Sequence, residues 1–98
     1  MRNGVRMYII TLDGREEEGA YSVKGEDGDQ VLYIWEEEDD ATRFALMLED
    51  KEYPKMNVME IDDELIIKAC ELHDYTYIVF TPDDIVIPPD QNTENDFI

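Results

Sequence analysis

The sequence predicts an α+β fold: a two-layer sandwich, a ferredoxin-like variant, with two helices on one face of a mainly antiparallel sheet. Three observations carry this expectation. β-rich runs such as MYIITL (7–12), QVLYIW (30–35) and YTYIVF (75–80) are separated by two stretches with helical spacing of apolar residues. Their order is strand, hairpin, helix, strand, helix, strand, which suits helices packed over a single sheet. The chain is 98 residues long, the size of one core, and has no internal repeat or linker.

Taken in order, MYIITL is closed by the turn dipeptide Asp13-Gly14. AYSV (20–23) and QVLYIW flank GEDGD (25–29) and read as a hairpin with a glycine-containing loop. That loop lacks the residue order of a calcium-binding loop, so it is read as a turn. Ala41, Phe44, Ala45 and Leu48 form one apolar helical face, which Tyr53-Pro54 ends. MNVMEI (56–61) is the next strand. Leu65, Ile66, Ala69 and Leu72 mark a second amphipathic helix that ends near His73. After YTYIVF comes a short IVI (85–87), and Pro88-Pro89 closes the domain. Residues 1–89 are thus expected to form a single acidic domain, with 90–98 a mobile acidic tail.

Charge narrows the function classes. Twenty-six acids against eight bases give −18, whereas contact with a nucleic-acid backbone needs clustered Lys and Arg. Arg2 and Arg6 are too little for that, so no direct nucleic acid and no anionic membrane surface is expected as a partner. A protein with a basic surface is favoured. No stretch approaches the ~20 apolar residues of a membrane span, and MRNGVRMYII lacks the apolar length of a secretory signal. The single cysteine, Cys70, excludes an internal disulfide and suits a reducing compartment. The expected location is cytoplasmic, or a plastid if a transit peptide has been removed.

The run Glu36, Glu37, Glu38, Asp39, Asp40 precedes the first helix. Acids in a first helical turn stabilise the partial positive charge there by about 0.3–1 kcal/mol each. Asp39 or Asp40 is expected to cap this helix, and Asp62 or Asp63 the second. Neighbours along a strand point to opposite faces, so five consecutive acids do not assemble a metal site. Such a run can also imitate phosphates for a basic partner.

Catalytic templates fail. Cys70 and His73 share a helical face, but no other Cys or His exists to complete a zinc site, and Cys–His nucleophile pairs are normally assembled across a fold. Ser22 is the single serine, with no histidine near it in sequence, and Gly25 and Gly28 belong to a hairpin rather than a phosphate loop. No catalytic residue, metal or cofactor is therefore expected.

The strands are apolar on both sides. With Leu32, Ile34, Ile78 and Phe80 facing the helices, Tyr33, Trp35, Tyr75 and Tyr77 are left on the opposite face. An aromatic sheet face of this kind marks binding when it is contiguous. The expected cover is another segment of the chain such as IVIPP (85–89), an identical subunit docked on the sheet face, or a foreign protein.

WEEEDDATRFALMLEDKEYP (35–54), together with DYTYIVFTPDDIVIPP (74–89), resembles a family of small cyanobacterial and plant-plastid proteins known as a domain of unknown function (DUF3110). The family's acidic core, F-E-x-E-D-D-A-x-R-Y-A-x-L-L-E, is matched at Glu36, Asp39, Asp40, Ala41, Arg43, Phe44, Ala45, Leu48 and Glu49. Pro54 and the pair Pro88-Pro89 match its later landmarks, while Trp35 and Phe44 stand where a Phe and a Tyr are expected. The resemblance covers roughly residues 6–90 and implies lineage and fold unity, with no agreed activity. It draws attention to Arg43, the one base between Lys24 and Lys51, placed to order the acids into a surface that a partner reads.

The sequence therefore predicts a non-enzymatic protein-interaction domain acting through Tyr33, Trp35, Tyr75 and Tyr77, with Glu36–Asp40 and Arg43 supplying the field. The alternatives are a phosphate-mimicking inhibitor of a nucleic-acid-binding protein and a small enzyme using Cys70 and His73.

Overall fold

A computed structural model describes residues 5–16, 19–25, 27–84, 86 and 95–97. The chain runs β1 (Arg6–Leu12), β2 (Tyr21–Lys24), β3 (Gln30–Trp35), α1 (Glu38–Asp50), β4 (Met56–Asp62), α2 (Asp63–Leu72), β5 (Thr76–Phe80) and β6 (Asn95–Phe97). It is an α+β sandwich of two helices and a mostly antiparallel sheet, as the sequence predicts. The Asp13-Gly14 turn is present, closed by Arg15 N–H donating to the Leu12 carbonyl at 3.0 Å. The β2–β3 hairpin closes with Gly25 N–H on the Asp29 carbonyl at 2.7 Å. Gly28 sits there at φ +89°, a backbone that a side chain rarely adopts.

β1 pairs antiparallel with β4 along its whole length, from Arg6↔Asp62 to Leu12↔Met56, and meets β3 at Tyr8↔Trp35. β3 pairs antiparallel with β2 and parallel with β5, from Val31↔Thr76 to Trp35↔Phe80. β6 pairs antiparallel with β2. The strand order is β4-β1-β3-β2-β6, with β5 attached to β3 off this path.

The placement of the helices corrects the sequence expectation. Alternate residues of one strand point to opposite faces. Ile10 and Trp35 pack with Phe44 of α1, whereas Ile9, Leu32 and Ile34 pack with Ile66 and Cys70 of α2. The helices therefore cover opposite faces, and the sheet lies between them. The crossovers explain this. β3 and β4 both run antiparallel to β1, so β3–α1–β4 is a parallel crossover in one direction and β4–α2–β5 returns in the other. Right-handed crossovers that travel in opposite directions place their helices on opposite faces.

The α1 face is aromatic. Trp35 and Phe44 are each 1% exposed, with ring centroids 5.1 Å apart. Tyr33 meets Phe80 edge-on at 4.9 Å and Tyr21 meets Phe44 at 5.5 Å. Such pairs add about 0.5–1.5 kcal/mol each beyond area burial. Ala41, Phe44, Ala45 and Leu48 are buried, as their spacing predicts. The N-cap of α1 is Glu37, which makes no side-chain capping bond, so Asp39 and Asp40 lie inside the first turn rather than capping it.

In α2 the predicted cap is present: Asp62 Oδ1 accepts from Glu64 N–H at 2.9 Å. Its buried stripe differs from the predicted one. Ile66 and Cys70 face the sheet, while Leu65 and Leu72 are exposed. Asp63 fixes the helix start. Its carboxylate accepts from Val5 N–H at 3.2 Å, and its own N–H donates to the Val5 carbonyl at 2.9 Å. Beyond β5, Val86 packs into the α1 core, while Ile85 and Ile87 of the expected IVI strand lie outside the described residues. Asn95–Phe97 were expected in a mobile tail and instead form β6. The remainder of that tail lies outside the described residues.

Candidate functional site

The acids gather where β3 ends and α1 begins. Glu36 N–H donates to the Phe80 carbonyl at 3.0 Å, which extends the β3–β5 ladder by one bond before the chain turns into the helix. Glu36, Glu37, Glu38 and Asp39 are exposed and Asp40 is half-buried. Three of the five, Glu38, Asp39 and Asp40, occupy the first turn of α1, where the helix dipole favours them. Arg43 Nη1 reaches Asp40 Oδ1 at 3.2 Å across one turn.

Two further acids join this end from elsewhere in the sequence. Asp84 folds back at the end of β5, its Oδ2 accepting from Thr81 N–H at 2.8 Å and from Thr81 Oγ1 at 3.2 Å. Asp84, Thr81, Trp35, Asp40, Arg43, Met47 and Val86 line one small crevice. On the other side, Glu60 of β4 stands opposite Tyr8 and pairs with Arg6 at 3.1 Å. Tyr8 reports the combined field. Its hydroxyl pKa is raised first by desolvation and then by Glu60, Glu38 and Glu37, with Arg6 opposing them. Glu60 and Asp84 were not singled out from the sequence, because only the β1–β4 register and the β5 turn bring them to the run.

The four aromatics expected to share an open face do not share one. Trp35 is buried and Tyr33 half-buried, both under α1, and burial pushes the Tyr33 hydroxyl up. Tyr75 and Tyr77 are 36% and 37% exposed. By strand alternation from Val79, which packs on the α2 core, both lie on the opposite face from Tyr33 and Trp35. The face of Tyr33 and Trp35 is covered by α1, with Val86 of the expected IVIPP segment packed against the same cluster and the rest of that segment outside the described residues.

Cys70 and His73 border a cavity of about 260 Å³ between α2 and β3, together with Leu32, Ile66, Ala69 and Tyr75. Cys70 is 1% exposed, and burial pushes its thiol up and away from the reactive thiolate. His73 is exposed at the C-cap of α2, and its ring stacks on Tyr75 with centroids 5.5 Å apart. Ser22 is fully buried and accepts from Gln30 Nε2 at 3.0 Å.

Among the described residues no helix is long and apolar enough to cross a membrane. No curated protein and no solved structure matches the sequence. A family match spans residues 7–90, taking in the acid run, both helices and β5, and the chain belongs to that family, described as Domain of unknown function (DUF3110).

Proposed function

We propose that this protein is a non-catalytic, acidic protein-interaction domain, cytoplasmic and of the cyanobacterial or plastid lineage, that receives a basic surface of another protein on the acid end of its sheet. The observation that carries this reading is the gathering of Glu36–Asp40, Glu60 and Asp84 at one end of the molecule. Arg43, paired with Asp40, and Arg6, paired with Glu60, offset only part of the charge gathered there. In a chain of net charge −18 this end focuses the field, and complementary charge speeds encounter and rejects wrong partners. A non-catalytic role is supported by the surroundings of the candidate nucleophiles: Ser22 is sealed in the core, and Cys70 is buried, where desolvation pushes its thiol up.

The test is affinity capture with tagged protein from a lysate of the organism that encodes it, comparing wild type with a Glu36→Gln, Glu37→Gln, Glu38→Gln triple variant. A stoichiometric protein that the wild type retains, a salt step releases and the triple variant fails to hold supports the reading. A retained set identical for the two proteins, or none beyond a tag-only control, overturns it. Displacement of the same partner by heparin would show that the acids stand in for phosphates.

A further inference from the structure

β4 and β5 are the outer strands on either side of the β1–β3 pair, and they meet water differently. β4 carries Glu60 and Asp62, and Glu60 is held by Arg6. β5 carries no charge. From Tyr75 to Pro82 the chain reads YTYIVFTP, the longest uncharged run in the sequence. β3 is the only strand paired with β5 among the described residues, and none of them pairs with the opposite edge. Natural proteins guard such edges with lysine, proline, bulges or inward charges. Thr76–Phe80 has none of these residues, and its register with β3 is unbroken. Ile78 and Tyr77 stand out from the two faces of this strand, 43% and 37% exposed. The described residues after β5 lead away from this edge: Val86 packs with Trp35 and Met47, and Asn95–Phe97 pair with β2.

We propose that β5 pairs with β5 of a second copy, antiparallel about a two-fold axis, so that two sheets become one. Charge selects this occupant. Two chains of −18 repel strongly, and β5 is the strip where they meet without setting acid against acid. A basic partner, by contrast, gains nothing from an uncharged edge and is drawn to the acid end. With Ile78 on the axis it stands opposite its own copy, Tyr77 faces Val79 and Thr76 faces Phe80, so every cross-strand pair in the strand is uncharged. Antiparallel pairing of an edge with itself satisfies the open N–H and C=O groups of both chains. The dimer presents two acid ends to partners.

The experiment is sedimentation equilibrium of the full chain from micromolar to millimolar concentration, at low and high salt. The expected wild-type mass approaches twice the 11.5 kDa of the chain. Association tightens with salt, because screening relieves like-charge repulsion. That sign is opposite to the one expected for a basic partner at the acid end, so the two readings fail independently. Ile78→Lys and Ile78→Glu each set like charges opposite one another and weaken the dimer at least about a hundredfold. Mixing the two variants restores a heterodimer. Because Ile78 is half in water, both variants keep the wild-type circular dichroism. Met59→Lys, on the β4 edge, leaves association unchanged. A wild type that stays monomeric throughout, a dimer indifferent to both Ile78 variants, a mixture that stays monomeric, or a dimer dissolved by Met59→Lys overturns the proposal.

Discussion

The same two strands fill the two faces of the sheet differently. Toward α1, β1 and β3 send Tyr8, Ile10, Tyr33 and Trp35 into a nest of rings closed by Tyr21, Phe44 and Phe80. Toward α2 they send Ile9, Leu32 and Ile34 into an aliphatic layer under Ile66 and Cys70. That second layer opens at the His73 end into a cavity of about 260 Å³. α1 buries four side chains over 13 residues. α2 spans 10 residues and leaves Leu65 and Leu72 in water. The difference teaches that an apolar excess on both sides of a strand is the mark of a central strand covered twice, rather than of a docking face. It also places the buried rings, and with them the costliest truncations, under α1.

The largest effect expected from this contrast is at Trp35. Trp35→Ala removes a fully buried ring from contact with Phe44, Tyr33 and Phe80, and is expected to destabilise by about 3–5 kcal/mol. In a domain whose whole stability is of order 5–15 kcal/mol, that is close to unfolding. Tyr77→Ala, on the other face and more than a third exposed, is expected to cost less than about 1 kcal/mol. Urea unfolding of both variants makes the comparison, and equal costs would break it. Ile66→Ala is expected to fall between them at about 2 kcal/mol, the low end for such truncations. Its surroundings already border open space, so little new cavity surface is created.

Much of the architecture was legible because its signals are local. β3 has the bounds its run of Val, Leu, Tyr, Ile and Trp gives it, and the stripe Ala41, Phe44, Ala45, Leu48 is the buried face of α1. Asp62 caps α2 because a carboxylate two residues before a helical N–H is a short-range fact. What sequence reading missed depends on long-range pairing. The face to which Tyr33 and Trp35 belong follows from the direction of two crossovers, which needs the strand order β4-β1-β3 with β5 beyond. The two-sided apolar character of YIW already held the clue. In α2, Leu65 and Leu72 fall at the spacing of a buried stripe with Ile66, yet it is Ile66 and Cys70 that face the sheet, while Asp63 at the helix start is bonded to Val5. Glu60 reaches the acid end only through the β1–β4 register, and it takes the pairing of β5 with β3 to show which edge of β5 has no partner among the described residues.

Thr11 sharpens the contrast between the faces in the opposite direction. It follows Ile9 on the α2 side of β1, is 2% exposed, and its Oγ1 has no hydrogen-bond partner among the described residues. A buried hydroxyl without a partner costs about 1–3 kcal/mol. Thr11→Val keeps the shape and removes the unpaired oxygen, and is expected to stabilise the protein by about 1 kcal/mol, read as a higher urea midpoint at unchanged slope. A loss of stability would mean that this layer of the α2 face holds a water or a polar contact.

The smallest expected effect on stability, and the most informative about the acid end, is at Arg43. Its pair with Asp40 is exposed on the arginine side, so Arg43→Ala is expected to change stability by only a few tenths of a kcal/mol. Partner binding separates two ideas of what the arginine does. If the acid end acts by net charge alone, removing a base beside the run makes it more negative and tightens a basic partner. If Arg43 instead holds Asp40 in place beside Thr81 and Asp84, its loss frees that carboxylate and weakens binding although the charge has moved in the favourable direction. We expect weakening for Arg43→Ala and near wild-type binding for Arg43→Lys, which keeps the charge and can keep one contact to Asp40. Titration calorimetry with the captured partner decides it, because the two ideas give opposite signs for the same substitution.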